Sequence, residues 1–179
     1  MNLAISKGMR TNRLVKIDKN LRDEIAYWLF LETWDDPLPW KEERHLQISP
    51  SSDTSGSGWG ATMKLSETIT TSDYWTDEER EIDIATREAL ALDKALVSFS
   101  TLLQNAWVDA RVDNRAVVDA WSSQGERSAS LRRVLKRLFF TTSLLNISRH
   151  VGYVASSGNP ADAPSRRLSF LDSKLHPDF

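Results

Sequence analysis

The sequence predicts an α/β fold, a mixed five-stranded sheet flanked by helices. Two observations carry this class. Short segments that alternate apolar with polar residues lie interleaved with longer segments whose apolar residues recur at helical spacing. Reading them in order gives β-β-β-α-β-α-α-β-α, and such interleaving, as opposed to blocks of strands then blocks of helices, calls for helices packed on a sheet.

Each element follows from its own residues. Residues 18–33 (DKNLRDEIAYWLFLET) place Leu21, Ile25, Trp28 and Leu29 on one stripe, with Asn20 as the expected cap. The segment WDDPLPWKEE then supplies two prolines and a linker, so residues 1–44 are expected to form a helical, connection-like segment and residues 45–179 the main domain. From His45, Leu46 and Ile48 alternate as a first strand running to Asp53, although Pro50 lacks the N–H that a central strand needs. A bulge or an early strand end near Pro50 is the expected remedy. The run TSGSG turns the chain, WGATMKL returns as the second strand, and a third strand falls between Ser66 and Tyr74. Residues 86–104 carry Leu92, Ala95, Leu96, Phe99, Leu102 and Leu103 at helical spacing. AWVDARVD alternates as a strand, and NRAVVDAWSS is a short helix stopped near Gly125. Residues 128–145 repeat the helical pattern at Leu131, Val134, Leu135, Leu138 and Phe139; NISRHVGYV is the last strand, and SSGNPADAP leads into a terminal helix.

Bulk properties narrow the function classes. The 179 residues suit one domain with an extra segment, and 40% hydrophobic content with a mean hydropathy of -0.42 is ordinary for a globular protein. No apolar run nears the roughly 20 residues that span a bilayer, and the N-terminus lacks the apolar core of a signal peptide, so neither membrane nor secretion is expected. With no cysteine and only three histidines, thiolate and zinc-cluster chemistry are excluded and a reducing, intracellular setting is expected. The net charge of -2 conceals basic clusters, one in the first 22 residues and one at Arg127, Arg132, Arg133, Lys136 and Arg137, against an acidic stretch DYWTDEEREID. Nucleic acid would bind such a chain through those clusters alone. Trp59 and Trp121 are expected to serve the core rather than to stack on bases.

Four acids stand in distinctive settings: Asp53 in SSDTSGSGWGA, Glu88 in IATREALAL, Asp113 in ARVDNRA and Asp162 in SGNPADAPSR. Taken singly, each has an ordinary structural reading as a turn residue, a first-turn charge or a helix cap. Taken together, Asp53 and Asp113 lie at the carboxyl ends of strands, where side chains line a shared crevice. Glu88 reaches that crevice from its helix and Asp162 from a loop. Four unaided carboxylates would repel one another. Two divalent cations about 4 Å apart turn such a set into ligands, a standard arrangement for phosphodiester hydrolysis.

The string SSDTSGSGWGATM resembles the first hairpin of ribonuclease H domains in retroelement reverse transcriptases. REALALDKAL resembles their Glu-bearing helix, VDNRAVVDAW their third-acid strand and helix, and YVASSGNPADAPSR their fourth-acid loop. The ending NPADAPSRRLSFLDSKL is most similar to tyrosine-recombinase retrotransposons of the DIRS type, with Pao-like elements next. The resemblance covers roughly residues 45–175. It implies an RNase H-like fold and endonucleolytic hydrolysis of the RNA strand of an RNA–DNA hybrid. It further implies two Mg²⁺ ions (Mn²⁺ substituting) on Asp53, Glu88, Asp113 and Asp162, and a polymerase domain in a parent polyprotein, with the helix at 18–33 as its connection. One departure stands out. Many cellular members carry a catalytic histidine several residues before the last acid, whereas this loop reads SSGNPAD and His150 lies earlier, within the last strand. Proton transfer to the leaving group is then expected to fall to water and turnover to be modest.

Further substrate contacts are expected at Arg127, Arg132, Arg133, Lys136 and Arg137, tracking phosphates, and at Arg166. Ser55 and Asn114, next to proposed ligands, are placed to meet the 2′-hydroxyl or the minor groove. Two rivals stay open: an RNase H fold reused as a weak or inactive nucleic-acid-binding or assembly module, and a structured DNA as the true substrate.

Overall fold

The structure, a computed structural model, describes residues 17–29, 44, 46–123 and 128–167. The chain divides into two units, Met1–Trp40 and Lys41–Phe179. In the first, one helix is described, α1 (Lys19–Trp28). Its cap is Asp18, not the expected Asn20: Leu21 N–H donates to Asp18 Oδ1 at 2.9 Å. Both are good cap residues, and Asp18 has the extended backbone (ψ 177°) that a cap requires. Residues 30–33 of the expected helix lie outside the described residues.

The second unit is built on a six-stranded mixed sheet. Its strands are β1 (Leu46–Ile48), β2 (Ser51–Thr54), β3 (Gly58–Lys64), β4 (Thr68–Tyr74), β5 (Ala106–Val112) and β6 (Ser148–Tyr153). The order runs β1-β5-β2-β3-β4, and β6 also pairs with β5. The expected first strand is thus two, interrupted at Pro50. The interruption shifts nothing, because Ile48 aligns with Val108 and Ser51 with Arg111 in one parallel register. Pro50 cannot donate, but its carbonyl accepts from Arg111 N–H at 2.8 Å. An early strand end, and not a bulge, is how the chain tolerates this proline. β2–β3 and β3–β4 are antiparallel hairpins, and β5–β6 is parallel.

The helices are α2 (Asp77–Arg80), α3 (Ile84–Ser98), α4 (Ser100–Leu103), α5 (Arg115–Ser123) and α6 (Ala129–Leu144). A 3₁₀ turn (Ser156–Gly158) and a short helix over residues 162–167 follow β6. Unexpected α2 is started by a capping box, in which Thr76 and Glu79 satisfy each other's backbone N–H groups. The expected single helix over 86–104 starts earlier, capped by Asp83, and breaks at Phe99, so Leu102 is exposed while Leu103 is buried.

The core lies where α3, α5 and α6 cover one face of the sheet: α3 packs on β2 and β3, α6 on α3, and α5 on β5 and β6. Ile48, Ala61, Met63, Val108 and Val112 meet Leu92, Leu96, Val117, Leu131 and Leu138 there. Trp59 is buried, and Trp121 is partly buried against this core. Asp93 is 0% exposed in the α3–α6 contact, where Arg137 and Thr141 of α6 both donate to it. Among the described residues, no helix is long and apolar enough to cross a membrane.

Candidate metal centre

Glu88 explains how the fold makes a site. On α3 it falls on the stripe of Leu92, Ala95, Leu96 and Phe99, at i, i+4, i+7, i+8 and i+11, the stripe that faces the sheet. A carboxylate on a core-facing stripe is buried by the same packing that buries its apolar neighbours, and Glu88 is 4% exposed. Below it, Asp53 is carried by β2 opposite Gly60 of β3 and is also buried. Asp113 follows β5 immediately, half-buried. Neighbouring parallel strands end side by side here, so one ligand oxygen from each of Asp53, Glu88 and Asp113 lies within 4.8 Å of the others.

The electrostatics of this group are unfavourable as they stand. Burial, then the charges of Asp113 and Asp53 and a hydrogen bond with Asp113, push Glu88 up to about 9. Asp53 is also raised, chiefly by burial, with Asp113 and Asp162 adding to the shift while Ser165 and Arg166 oppose it. Glu88 Oε2 is buried without a hydrogen-bond partner among the described residues. A buried carboxylate oxygen left unpaired is costly unless something positive meets it. Three convergent hard oxygen donors fit a divalent cation such as Mg²⁺ or Mn²⁺. The residues present therefore suit the metal that their types implied.

Asp162 reaches the same end of the sheet by a different route. Asn159, buried in the preceding loop, donates to Ser52 O at 2.9 Å and accepts from Ala161 N–H at 3.1 Å, which ties the loop to β2. Asp162 lies outside the group of three, and its Oδ1 accepts from Arg166 Nε at 2.7 Å. It is close enough for its charge to raise Asp53. Serine hydroxyls serve two of the clustered acids: Ser156 donates to Asp113 Oδ2 at 2.7 Å and Ser165 to Asp53 Oδ2. Sequence reasoning passed over Asn159, Ser156, Ser165 and Gly60. The first three lie in the motif that carries Asp162, but nothing in their residue types marks their partners: Ser52 and Asp53 of β2, more than a hundred positions away, for Asn159 and Ser165, and Asp113, 43 positions away, for Ser156.

The other candidate residues are placed as follows. Ser55 is engaged within the fold, donating to Ser165 O at 2.7 Å and to Gly58 O at 3.1 Å across the hairpin turn. Asn114 takes the cap of α5, accepting from Ala116 N–H at 3.0 Å, which leaves the adjacent Asp113 carboxylate to the site. Arg132, Arg133 and Lys136 are exposed on α6, whereas Arg137 is bound to Asp93. Arg127 lies outside the described residues. His150 sits on β6, its ring 73% exposed and Nδ1 2.8 Å from Asp109 Oδ1, and Asp109 also pairs with Arg111 at 2.5 Å. Asp109 and Arg111 alternate with the buried Ala110 and Val112, so this trio occupies the sheet face away from α3.

No family model matches the chain, and no curated protein does. Solved structures do. RNase H1 of the halophilic archaeon Halobacterium salinarum matches at a TM-score of 0.52 and 16% identity, over 69% of this chain and 98% of that one. LC11-RNase H1, solved in complex with an RNA/DNA hybrid, matches at 0.53 and 16%, over 67% and 93%. The N-terminal RNase H domain of a Mycobacterium tuberculosis protein matches at 0.54 and 14%, over 73% and 99%. The fold is that of the ribonucleases H, a mixed sheet flanked by helices.

Proposed function

We propose that this protein is a metal-dependent endoribonuclease that hydrolyses the RNA strand of RNA–DNA hybrids, the RNase H part of a retroelement reverse transcriptase. One observation carries the reading: Glu88 is buried on a core-facing helical stripe against Asp53 and Asp113, with its Oε2 unpaired among the described residues. Evolution of a core alone would place an apolar residue there, since an unpaired buried carboxylate costs stability. Likeness to RNase H folds, one of them solved with a hybrid bound, supports the substrate class. The DIRS-type assignment rests on the motif NPADAPSRRLSFLDSKL, and the Pao-like one stands behind it.

In this reading Asp53, Glu88 and Asp113 hold Mg²⁺ or Mn²⁺, and Asp162 completes a second position. Two cations held there would supply the electrophilic stabilisation that in-line hydrolysis of a phosphodiester needs. The chain's own residues do the rest. Ser156 fixes the rotamer of Asp113, and burial of Glu88 and Asp53 keeps bulk water from competing for their oxygens. Exposed Arg132, Arg133 and Lys136 on α6 track hybrid phosphates, with Asn114 and Arg166 at the mouth of the site. No histidine lies in the loop over residues 155–161, so water carries the proton to the leaving group.

Mg²⁺ or Mn²⁺ should permit cleavage of a labelled RNA–DNA hybrid, and Asp113→Asn should lower that rate at least about 100-fold with the far-ultraviolet circular dichroism unchanged. Cleavage at the wild-type rate by this variant would remove the site assignment. A second reading follows from the Asp162–Arg166 ion pair, which leaves the fourth acid engaged. A weak or inactive hybrid-binding module would retain binding in the same assay without cleavage. Comparing hybrid, double-stranded RNA and DNA duplex as substrates distinguishes the remaining alternative.

A further inference from the structure

We propose that Ser165 is a positioning residue of the metal centre, fixing the carboxylate of Asp53 and holding the helix of Asp162 against the first hairpin; this rests on the metal-site reading above. Ser165 is 0% exposed. Its hydroxyl donates to Asp53 Oδ2 and lies 2.9 Å from the carbonyl oxygen of Asp162. Its own carbonyl accepts from Ser55 Oγ at 2.7 Å. One residue thus joins the first acid, the backbone of the fourth acid and the turn of the β2–β3 hairpin.

The approach depends on Gly60. This glycine pairs with Asp53 across β2–β3, and a Cβ placed on it would lie 2.3 Å from Ser165 N and 2.6 Å from the carbonyl carbon of Pro164. Both are backbone atoms, which cannot swing aside as a flexible side chain can. Only a residue without a side chain lets the 162–167 helix sit on the strand beside the first acid. The glycine and the serine, over a hundred positions apart, therefore form one contact.

A buried carboxylate has rotational freedom that a cation must otherwise restrict on binding. A hydroxyl bonded to one of its oxygens removes that freedom in advance and leaves the other oxygen for the ion. Serine suits the place because its short side chain matches the close approach of the two backbones, and a neutral donor does not compete with the cation as a basic side chain would.

The test is calorimetric titration of Mg²⁺ into the full metal-free chain, alongside thermal unfolding and hybrid cleavage against Mg²⁺ concentration. Ser165→Ala should weaken Mg²⁺ binding about tenfold, the lower end for loss of a ligand-orienting hydrogen bond. It should raise the Mg²⁺ concentration for half-maximal cleavage by a similar factor. Ser165→Cys keeps the shape with a slightly larger sulfur and a weak S–H donor, so it should recover part of the affinity, and it provides the comparison if the alanine variant fails to fold. Wild-type Mg²⁺ affinity in both folded variants would overturn this proposal alone. An unsubstituted chain that binds no Mg²⁺ would overturn the metal-site reading and the proposal together.

Discussion

Glu88 is the residue whose chemistry depends most on its surroundings. Its carboxyl, at 4.5 in the open, is pushed up to about 9 first by burial and then by Asp113 and Asp53. The metal-free folded state therefore keeps a proton that the unfolded chain releases above pH 4.5. The folded state binds more protons across the window from about 4.5 to 9, so its stability must fall as pH rises through it. Urea midpoints of the metal-free protein should decline over that window, and Glu88→Gln, which cannot ionise, should flatten the decline and raise the midpoint at about pH 8. A divalent cation bound at this site would reverse the preference and expel the proton. Titrations of Mg²⁺ at about pH 7 in two buffers of different ionisation heat should give different apparent enthalpies, and equal enthalpies would show that Glu88 does not take part.

Among the elements, α3 and α6 are joined by polar contacts as well as apolar packing: Thr86 with Ser130, and Asp93 with Arg137 and Thr141. Asp93 is fully buried, and Arg137 and Thr141 donate to it from α6. A buried carboxylate tolerates this only while its donors remain. Arg137→Met should lower stability by about 1.5–3 kcal/mol, the range for a hydrogen bond to a charged group, as read from urea denaturation. That substitution should leave hybrid affinity nearly unchanged, because the guanidinium is committed to Asp93. The same element shows why charge along a helix is a poor guide by itself. Arg133 and Arg137 share a face by i,i+4 spacing, yet the first is exposed and the second is engaged with a partner 44 positions earlier. Spacing along one helix gives no sign of an acid buried on another.

At the scale of the whole molecule, a mildly acidic protein must bind a polyanion through local charge. In the proposed reading Arg132, Arg133 and Lys136, exposed on one face of α6, would provide this. Replacing the three with alanine should weaken hybrid binding regardless of sequence and flatten the slope of log K against log salt by about one for each phosphate no longer neutralised. An unchanged slope in fluorescence-anisotropy titrations would place the hybrid on another surface. The sheet face of Asp109, Arg111 and His150 is turned away from α3 and should not affect that slope.

Much of this protein is legible in its residues. Alternation and helical spacing are local properties, and they located each sheet strand and each of the three longer helices of the main domain to within a few positions. At Pro50 the expected early strand end is what the chain adopts, its carbonyl sustaining the register that its nitrogen cannot; local chemistry misled at the cap of α1, at the unexpected α2 and at Phe99. The four acids were legible as a set because each stands in a motif. Their union was not, since it depends on strands β2 and β5 ending side by side and on a stripe of α3 facing them. Tertiary packing alone decided that Asp53, Glu88 and Asp113 cluster, that Asp162 stands apart with Arg166, and that Ser165 rests on Gly60. The decisive approaches join residues far apart in the chain through burial and close packing, and no property of a local segment encodes them.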